Sequence, residues 1–350
     1  MGTLLKVENL RVSYHTYAGE VQSVRDISFD LEEGETLAIV GESGCGKSVT
    51  ARTILRLNSA GNMEIKPGSK IIYQGRNVLK FNKKELSVYR GGESAIIFQD
   101  ALTSLNPTMT VGRQIAENLV MHRRLSKKDA IKEAENMLRL VGIPNPEKRI
   151  GQYPHEFSGG MRQRVMIAIA FACNPKMLIA DEPTTALDVT IQAQIMDLIK
   201  QLQKENNTSV ILITHDLGVV ANTARRVMVM YSGKIVEYGY SRDIFYRAKH
   251  PYTLALLKAV PRLDLGNKQE LDSIPGVPPD LIAPPKGCPF ASRCRYCMEI
   301  CCEEEPEMTE FSEGHAAGCW LHHPLAPIED NPFAEDTSLY HTGGSKNERE

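Results

Sequence analysis

Thr36-Leu-Ala-Ile-Val40, Gly41-Glu-Ser-Gly-Cys-Gly-Lys-Ser48 and a helical run from Lys47 to about Leu57 decide the fold of this chain. Thr36–Val40 reads as a short buried strand, and it runs directly into a loop of the form G-x-x-x-x-G-K-[ST]. Strand, glycine-rich loop and helix in that order are the context of a phosphate-cradling P-loop. The loop spans Gly41, Ser43, Gly44, Cys45, Gly46, Lys47, Ser48 and Val49, with backbone N–H groups around the phosphates, Lys47 on the β- and γ-phosphates and Ser48 on Mg²⁺. Cys45 reads as a small residue filling an open position, with an oxidisable sulfur as the other reading. A second glycine motif, Phe157-Ser-Gly-Gly-Met161, sets Ser158, Gly159 and Gly160 before the helical run Arg162–Ala172. That makes a second anion site at a helix N-terminus.

Around these motifs the composition is ordinary. The 350 residues favour two domains, and 42% apolar with 24% charged residues is globular composition. A net charge of −2 and a pI near 6.5 give no bulk attraction to nucleic acid. The N-terminus has no secretory pattern, and the longest apolar run, the nine residues Val165–Cys173, is too short for a bilayer. The expectation is a soluble cytosolic chain whose membrane role, if any, runs through a partner.

Along the chain, Leu4–Val12 and Val24–Leu31 read as strands before the P-loop, and Ser94–Gln99 as a buried strand after it. Val111, Ile115 and Leu119 then follow a Thr110 cap at helical spacing. Ser126 opens a further helix with Ile131, Ala134, Leu138 and Val141 on its apolar face, and Gly142 closes it. Residues 103–160 are thus a helical insertion. Strands return at Lys176–Ala180 and Ser209–Thr214, with the amphipathic helix Val189–Lys204 between them, and Val227–Tyr231 and Lys234–Tyr238 pair as a hairpin across Ser232-Gly233. Gln99, Asp181 and His215 all fall at carboxyl ends of strands, where open α/β sheets bind ligands. After about Pro261 the chain turns proline-rich, then cysteine-rich, and residues 331–350 read as a polar disordered tail.

Taken in order, Gln99, Phe157–Met161, Asp181-Glu182, Asp188 and His215 make residues 4–260 resemble the nucleotide-binding subunits of ATP-binding-cassette (ABC) transporters. The family signature L-S-G-G-Q departs here at its first and last positions, while the phosphate-contacting Ser158, Gly159 and Gly160 are intact. The resemblance implies an α/β P-loop NTPase core with an antiparallel β subdomain, a helical insertion and a small cysteine-rich C-terminal domain at 261–330. It implies Mg²⁺ on Ser48 and Asp181, with Gln99 nearby through water. Glu182 would orient or deprotonate the attacking water, and His215 would bond the γ-phosphate and that water. Asp188 resembles the D-loop that crosses to a partner subunit and is equally placed to cap the helix at Val189. Tyr14, 27 residues before Gly41, stands where members stack an aromatic on adenine; Tyr17 competes, and either fits a core position.

Ala101-Leu-Thr-Ser-Leu-Asn-Pro107, Tyr153-Pro-His-Glu-Phe-Ser-Gly-Gly160 and the cysteine segment are similar to the ATPase subunits of dipeptide/oligopeptide permeases. That branch implies ATP-driven import of di- or oligopeptides, or in related systems of nickel or another small solute. It also implies two transmembrane permease subunits, a second ATPase subunit completing each ATP site, an extracytoplasmic binding protein acting indirectly, no nucleic acid, and a place on the cytoplasmic membrane face. A non-transport ABC ATPase would carry tandem cassettes, long coiled coils or basic arms, and none is present. Six cysteines crowd into 32 residues, which in a cytosolic chain reads as metal ligation. Cys288, Cys294, Cys301 and Cys319, separated by five, six and seventeen residues, suit a [4Fe–4S] cluster. The close pair Cys294 and Cys297, with Cys301 or Cys302 and Cys319, keeps Zn²⁺ open. Some members of the branch carry an iron–sulfur cluster in this tail, which sets the expectation on the cluster with Cys297 and Cys302 as spare thiols. A structural role is expected of it, and Cys297 and Cys301-Cys302 also motivate a redox-gating reading.

Overall fold

The computed structural model describes residues 2–58, 61–185, 187–259, 274–327, 329 and 331–333. Of the tail expected at 331–350, residues 334–350 lie outside the described residues, as do 260–273 of the proline-rich segment, while Asn331 and Phe333 are buried.

Two sheets organise the chain. The first begins with two long strands, β1 (Thr3–Thr16) and β2 (Gly19–Glu32), paired antiparallel. β3 (Thr36–Val40) then leads through the P-loop into helix α1 (Lys47–Ile54). The short strands β4 (Met63–Ile65), β5 (Lys70–Tyr73) and β6 (Arg76–Asn77) return to the first sheet, in the order β2-β1-β5-β6 with β4 also on β1. Leu5, Val7, Leu10 and Val12 of β1 and Val24, Ile27 and Leu31 of β2 turn inward and pack with α1 and β3, the strict alternation broken by register shifts around Leu10. Helix α2 (Lys83–Tyr89) has a complete capping box between Asn82 and Glu85.

After β7 (Ser94–Ile97) come α3 (Ala101–Ser104), α4 (Val111–Arg123), α5 (Lys127–Leu140), α6 (Pro146–Arg149) and α7 (Gly159–Phe171). Val111, Ile115 and Leu119 of α4 are buried against Ala134 and Leu138 of α5, as their spacing predicts. Ile131 is not: it stands exposed, and Ala130 takes the inward position one residue earlier. Ser126 caps α5 by accepting from the amide of Asp129.

The second sheet carries the site. β8 (Met177–Asp181), α8 (Val189–Asn206), β9 (Ser209–Ile213), α9 (Leu217–Thr223), β10 (Arg226–Tyr231) and β11 (Lys234–Tyr240) follow in turn. Strands β10-β3-β9-β8-β7 lie side by side and parallel, and all five residues of β3, β8 and β9 are buried. This is the continuous apolar pattern of strands covered on both faces. β11 folds back on β10 across Ser232 and Gly233, both at positive φ (48° and 78°) as a two-residue primed turn requires.

After α10 (Ser241–Tyr246) and α11 (Pro251–Lys258), the cysteine-rich segment holds α12 (Glu299–Glu303), β12 (Thr309–Ser312) and β13 (His315–Ala317). It does not stand apart. β13 pairs antiparallel with β11 and extends the main sheet, so the edge of β11 is covered. Phe290, Ala291, Cys288 and Cys301 share one apolar cluster with Tyr231, Tyr252 and Val40. Buried Glu237 of β11 accepts from the amides of Lys249 and His250 and lies 2.9 Å from His315 Nε2. Among the described residues no helix is long and apolar enough to cross a membrane.

Candidate nucleotide site

The parallel order β3-β9-β8-β7 brings four chain segments to one edge of the sheet. Gly41 follows β3, His215 lies two residues beyond β9, Asp181 ends β8 with Glu182 next, and Gln99 lies two residues beyond β7. The order of strands, not of sequence, assembles the site.

Within the P-loop two glycines are obligatory. A Cβ at Gly41 (φ +150°) would lie 2.2 Å from the carbonyl oxygen of Met230, and one at Gly46 (φ +101°) 2.4 Å from that of Ser23. Lys47 is buried, and its Nζ donates to the carbonyls of Gly41 (2.7 Å) and Glu42 (2.8 Å). Cys45 is buried in the apolar cluster beneath the loop, with Sγ 3.8 Å from Lys47 Nζ, and burial pushes its thiol up. Ser43 and Gly44 form the exposed crown, and Val49 rests half-buried in α1.

Ser48 Oγ donates to Asp181 Oδ1 at 2.8 Å. Asp181 is 1% exposed, and burial pushes its carboxyl up against the opposing pull of the Ser48 hydroxyl. A hydroxyl and a buried carboxylate side by side are a hard-oxygen pair that a small divalent cation would satisfy. Glu182 sits at φ +50°, in the left-handed region that costs a non-glycine residue about 1 kcal/mol or more. Its Oε2 accepts from Gln99 Nε2 (3.0 Å) and Thr185 Oγ1 (2.9 Å), and His215 Nδ1 is 3.7 Å away. Gln99 therefore bonds Glu182 here rather than the Ser48–Asp181 pair. The His215 side chain is largely exposed.

Ser158 caps α7, accepting from the amide of Met161 at 3.4 Å. Ser158 and Gly159 are exposed, and a Cβ on Gly160 would meet Ile191 Cγ2 at 2.9 Å. Asp188 caps α8 through the amide of Ile191. Tyr14 packs half-buried on the β1–β2 core, and Tyr17 in the turn is fully exposed.

Sequence reasoning missed three contributors. Thr185 fixes Glu182. Gln192 of α8 donates to Thr184 Oγ1 (3.1 Å) and Asp216 Oδ2 (3.3 Å), tying the strand ends together. Glu42, an unspecified position of the motif, carries contacts of its own. Only Thr185, three residues after Glu182, had a local signal: a hydroxyl at turn spacing.

In the cysteine segment, Cys319 lies near enough to Cys288, Cys294 and Cys301 for their charges to interact. Cys288 and Cys319 are pushed up first by burial, Cys288 to about 12. The backbone at Phe290, Tyr296 and Leu321, each two residues on, pulls the thiols of Cys288, Cys294 and Cys319 down against that burial. Cys297 and Cys302 stand exposed as a pair, Sγ to Sγ 3.9 Å. Among the described residues no three His, Cys, Asp or Glu side chains stand arranged to hold a metal ion.

A P-loop, a hydroxyl–carboxylate pair and a braced glutamate on the carboxyl edge of one parallel sheet define an ATPase of the ATP-binding-cassette class. Residues 24–185 match the ABC transporter family and residues 236–301 the oligopeptide/dipeptide transporter C-terminal region. The chain is 56% identical over 331 residues to the oligopeptide transport ATP-binding protein OppD of Bacillus subtilis (strain 168), covering 95% of this chain and 92% of that one. Identity is 55% over 321 residues to the dipeptide transport ATP-binding protein DppD of the same strain (92% and 95%). The dimeric post-hydrolysis structure of the ATP-binding cassette MJ0796, bound to ADP and Pi, is similar at TM-score 0.61 and 26% identity, over 68% of this chain and 99% of that one. The chain belongs to the ABC transporter family, in the branch of the oligopeptide and dipeptide transport ATP-binding proteins.

Proposed function

We propose that this chain is the ATP-hydrolysing subunit of a di- or oligopeptide importer, peripheral on the cytoplasmic face of the membrane and seated on two transmembrane permease subunits. The observation that carries the catalytic assignment is the bracing of Glu182 by Gln99 and Thr185 beside the Ser48–Asp181 pair. Lys47 and the amides from Ser43 to Val49 bind the phosphates, and Tyr14 offers its open side to adenine. Glu182 orients the attacking water in line with the γ-phosphate and draws its proton, while His215 bonds the same water and the phosphate. Ser48 and Asp181, with Gln99 through water, would hold Mg²⁺, which would supply positive charge against that of the phosphates.

Ser158 and Gly159 are exposed and Gly160 half-buried, which supports the motif's serving the nucleotide of a second ATPase subunit, with Asp188 at the crossing point. Each site is then half of one completed by the partner. Cys288, Cys294, Cys301 and Cys319 are the proposed holders of a structural [4Fe–4S] cluster, Zn²⁺ being the alternative; no three of them stand arranged for a metal among the described residues, so loading would have to draw them together. Backbone amides two residues on from three of the four oppose, without overcoming, the upward push of burial on their thiols. Iron, sulfide and zinc analysis of anaerobically purified protein decides between them, and one zinc per colourless chain removes the cluster.

The test of the catalytic reading is Glu182→Gln. ATP binding is retained, a closed dimer accumulates and turnover falls at least about 100-fold; normal turnover in that variant overturns the role. Peptide cargo is tested in the reconstituted transporter with a peptide-loaded binding protein, and ATPase unresponsive to peptides of any length removes that assignment.

A further inference from the structure

The crown of the P-loop has little packing of its own. Ser43 and Gly44 are exposed, and a Cβ built on Gly44 meets nothing within 4 Å. The loop is held instead at Cys45, whose carbonyl accepts from the Gly233 amide at 3.0 Å, and at Glu42. Its amide donates to Tyr252 Oη of α11 at 2.9 Å. Its carbonyl accepts from Lys47 Nζ. Its carboxylate takes both guanidinium nitrogens of Arg293, Nη1 to Oε2 at 2.7 Å and Nη2 to Oε1 at 3.1 Å. Arg293 lies in the cysteine segment, immediately before Cys294, and its side chain is 5% exposed. It is itself fixed by the carbonyl of Pro275 (2.8 Å) and by Tyr231 Oη (3.2 Å). A bidentate Arg–carboxylate pair so enclosed sets direction as well as distance.

We infer that Arg293 is a positioning residue for nucleotide binding: through Glu42 it holds the P-loop in its phosphate-accepting shape. The reasoning turns on Lys47. In the free chain Lys47 supports the carbonyls of Gly41 and Glu42, but binding a triphosphate draws its ammonium onto the β- and γ-oxygens. Glu42 then loses one of its holds when the amides that follow it must converge on the phosphates. Beside a long contact from the Cys45 amide to its carbonyl (3.4 Å), Tyr252 and Arg293 are what remain. With Arg293 removed, the loop must be ordered by the nucleotide itself, and that cost appears in affinity. Arg293 touches no reacting group, so the chemical step is spared. The inference rests on the P-loop assignment but not on peptide cargo, and not on what the cysteines hold.

The experiment measures binding of a fluorescent ATP analogue to the full chain, and KM and kcat for ATP in the assembled transporter. Arg293→Gln and Glu42→Gln each raise Kd and KM about tenfold, the loss of one partly buried charge pair, with kcat within about twofold. The double variant is no weaker than either single one, because both remove the same contact. Arg293→Lys, which keeps the charge without the fork, recovers only part of the affinity. Lys234→Gln, which breaks a different tether of the segment, to Glu305, leaves Kd unchanged. Unaltered affinity in Glu42→Gln, which leaves the cysteine segment untouched, overturns the inference. So does an effect of the double variant equal to the product of the two singles. A loss of P-loop binding altogether in the wild-type chain would instead remove the nucleotide-site assignment.

Discussion

Glu182 combines a strained backbone with a side chain gripped from two sides, and the grip decides what the strain achieves. Left-handed φ at a residue with a Cβ persists only where the surroundings fix it, and here its amide also donates to the carbonyl of Ile213 in the neighbouring strand. Gln99 and Thr185 then hold one carboxylate oxygen, Oε2, in place. Thr185→Ala removes one of these bonds without touching the phosphates. The expected outcome is a three- to tenfold fall in kcat, about the worth of one hydrogen bond, with ATP affinity unchanged; single-turnover kinetics beside equilibrium binding separate the two. Cys45, by contrast, is the packing residue its size suggested, closed beneath the loop and out of solvent.

At the scale of elements, α11 is the least expected participant. Its cap is His250, fully buried, whose Nδ1 accepts from the amide of Tyr252, so the ring proton sits on Nε2. Burial, with a smaller contribution from His322, pushes this imidazole down to about 3. The unfolded chain takes up the proton near pH 6.5 and the folded chain does not, so stability is full above that pH. It falls as pH drops toward 3, by at most about 1.4 kcal/mol per unit. Denaturation midpoints measured from pH 7 to 5 should therefore decline less steeply in His250→Asn, which retains an acceptor for the cap and cannot titrate. None of this was legible in Lys249-His-Pro-Tyr252. What was legible followed from local rules: β3 by its apolar run, α5 by its serine cap, the hairpin of β10 and β11 by Ser-Gly. Strands β4 to β6, two to four residues long, are too short for a period to register. Ile131 fitted the helical period but faces solvent, because the stripe of α5 turns through Ala130 to meet α4. The site residues were readable at strand ends; of what braces them only Thr185 had a local signal, since Gln192 and Arg293 act through contacts that no spacing announces.

For the whole molecule, the main result is that the cysteine segment and the nucleotide core are one body. β13 closes the edge of β11, His315 meets buried Glu237, and Phe290 packs against the rings of both Tyr231 and Tyr252. Deleting residues 274–350 therefore opens an edge and a cavity together. The expected cost is at least about 3 kcal/mol, the value for emptying one buried phenylalanine site, seen as a lowered melting temperature with aggregation through the bared strand in light scattering. Arg293 and Glu42 are 251 positions apart, and that separation has a temporal meaning. At synthesis rates of about 5–20 residues per second, the phosphate loop leaves the ribosome roughly 10–50 s before the arginine that fixes it. A nascent or prematurely ended chain thus carries every residue of the nucleotide motif without its final shape. Full competence arrives only with the last sixth of the chain, so incomplete products are poor rivals for a place in the transporter.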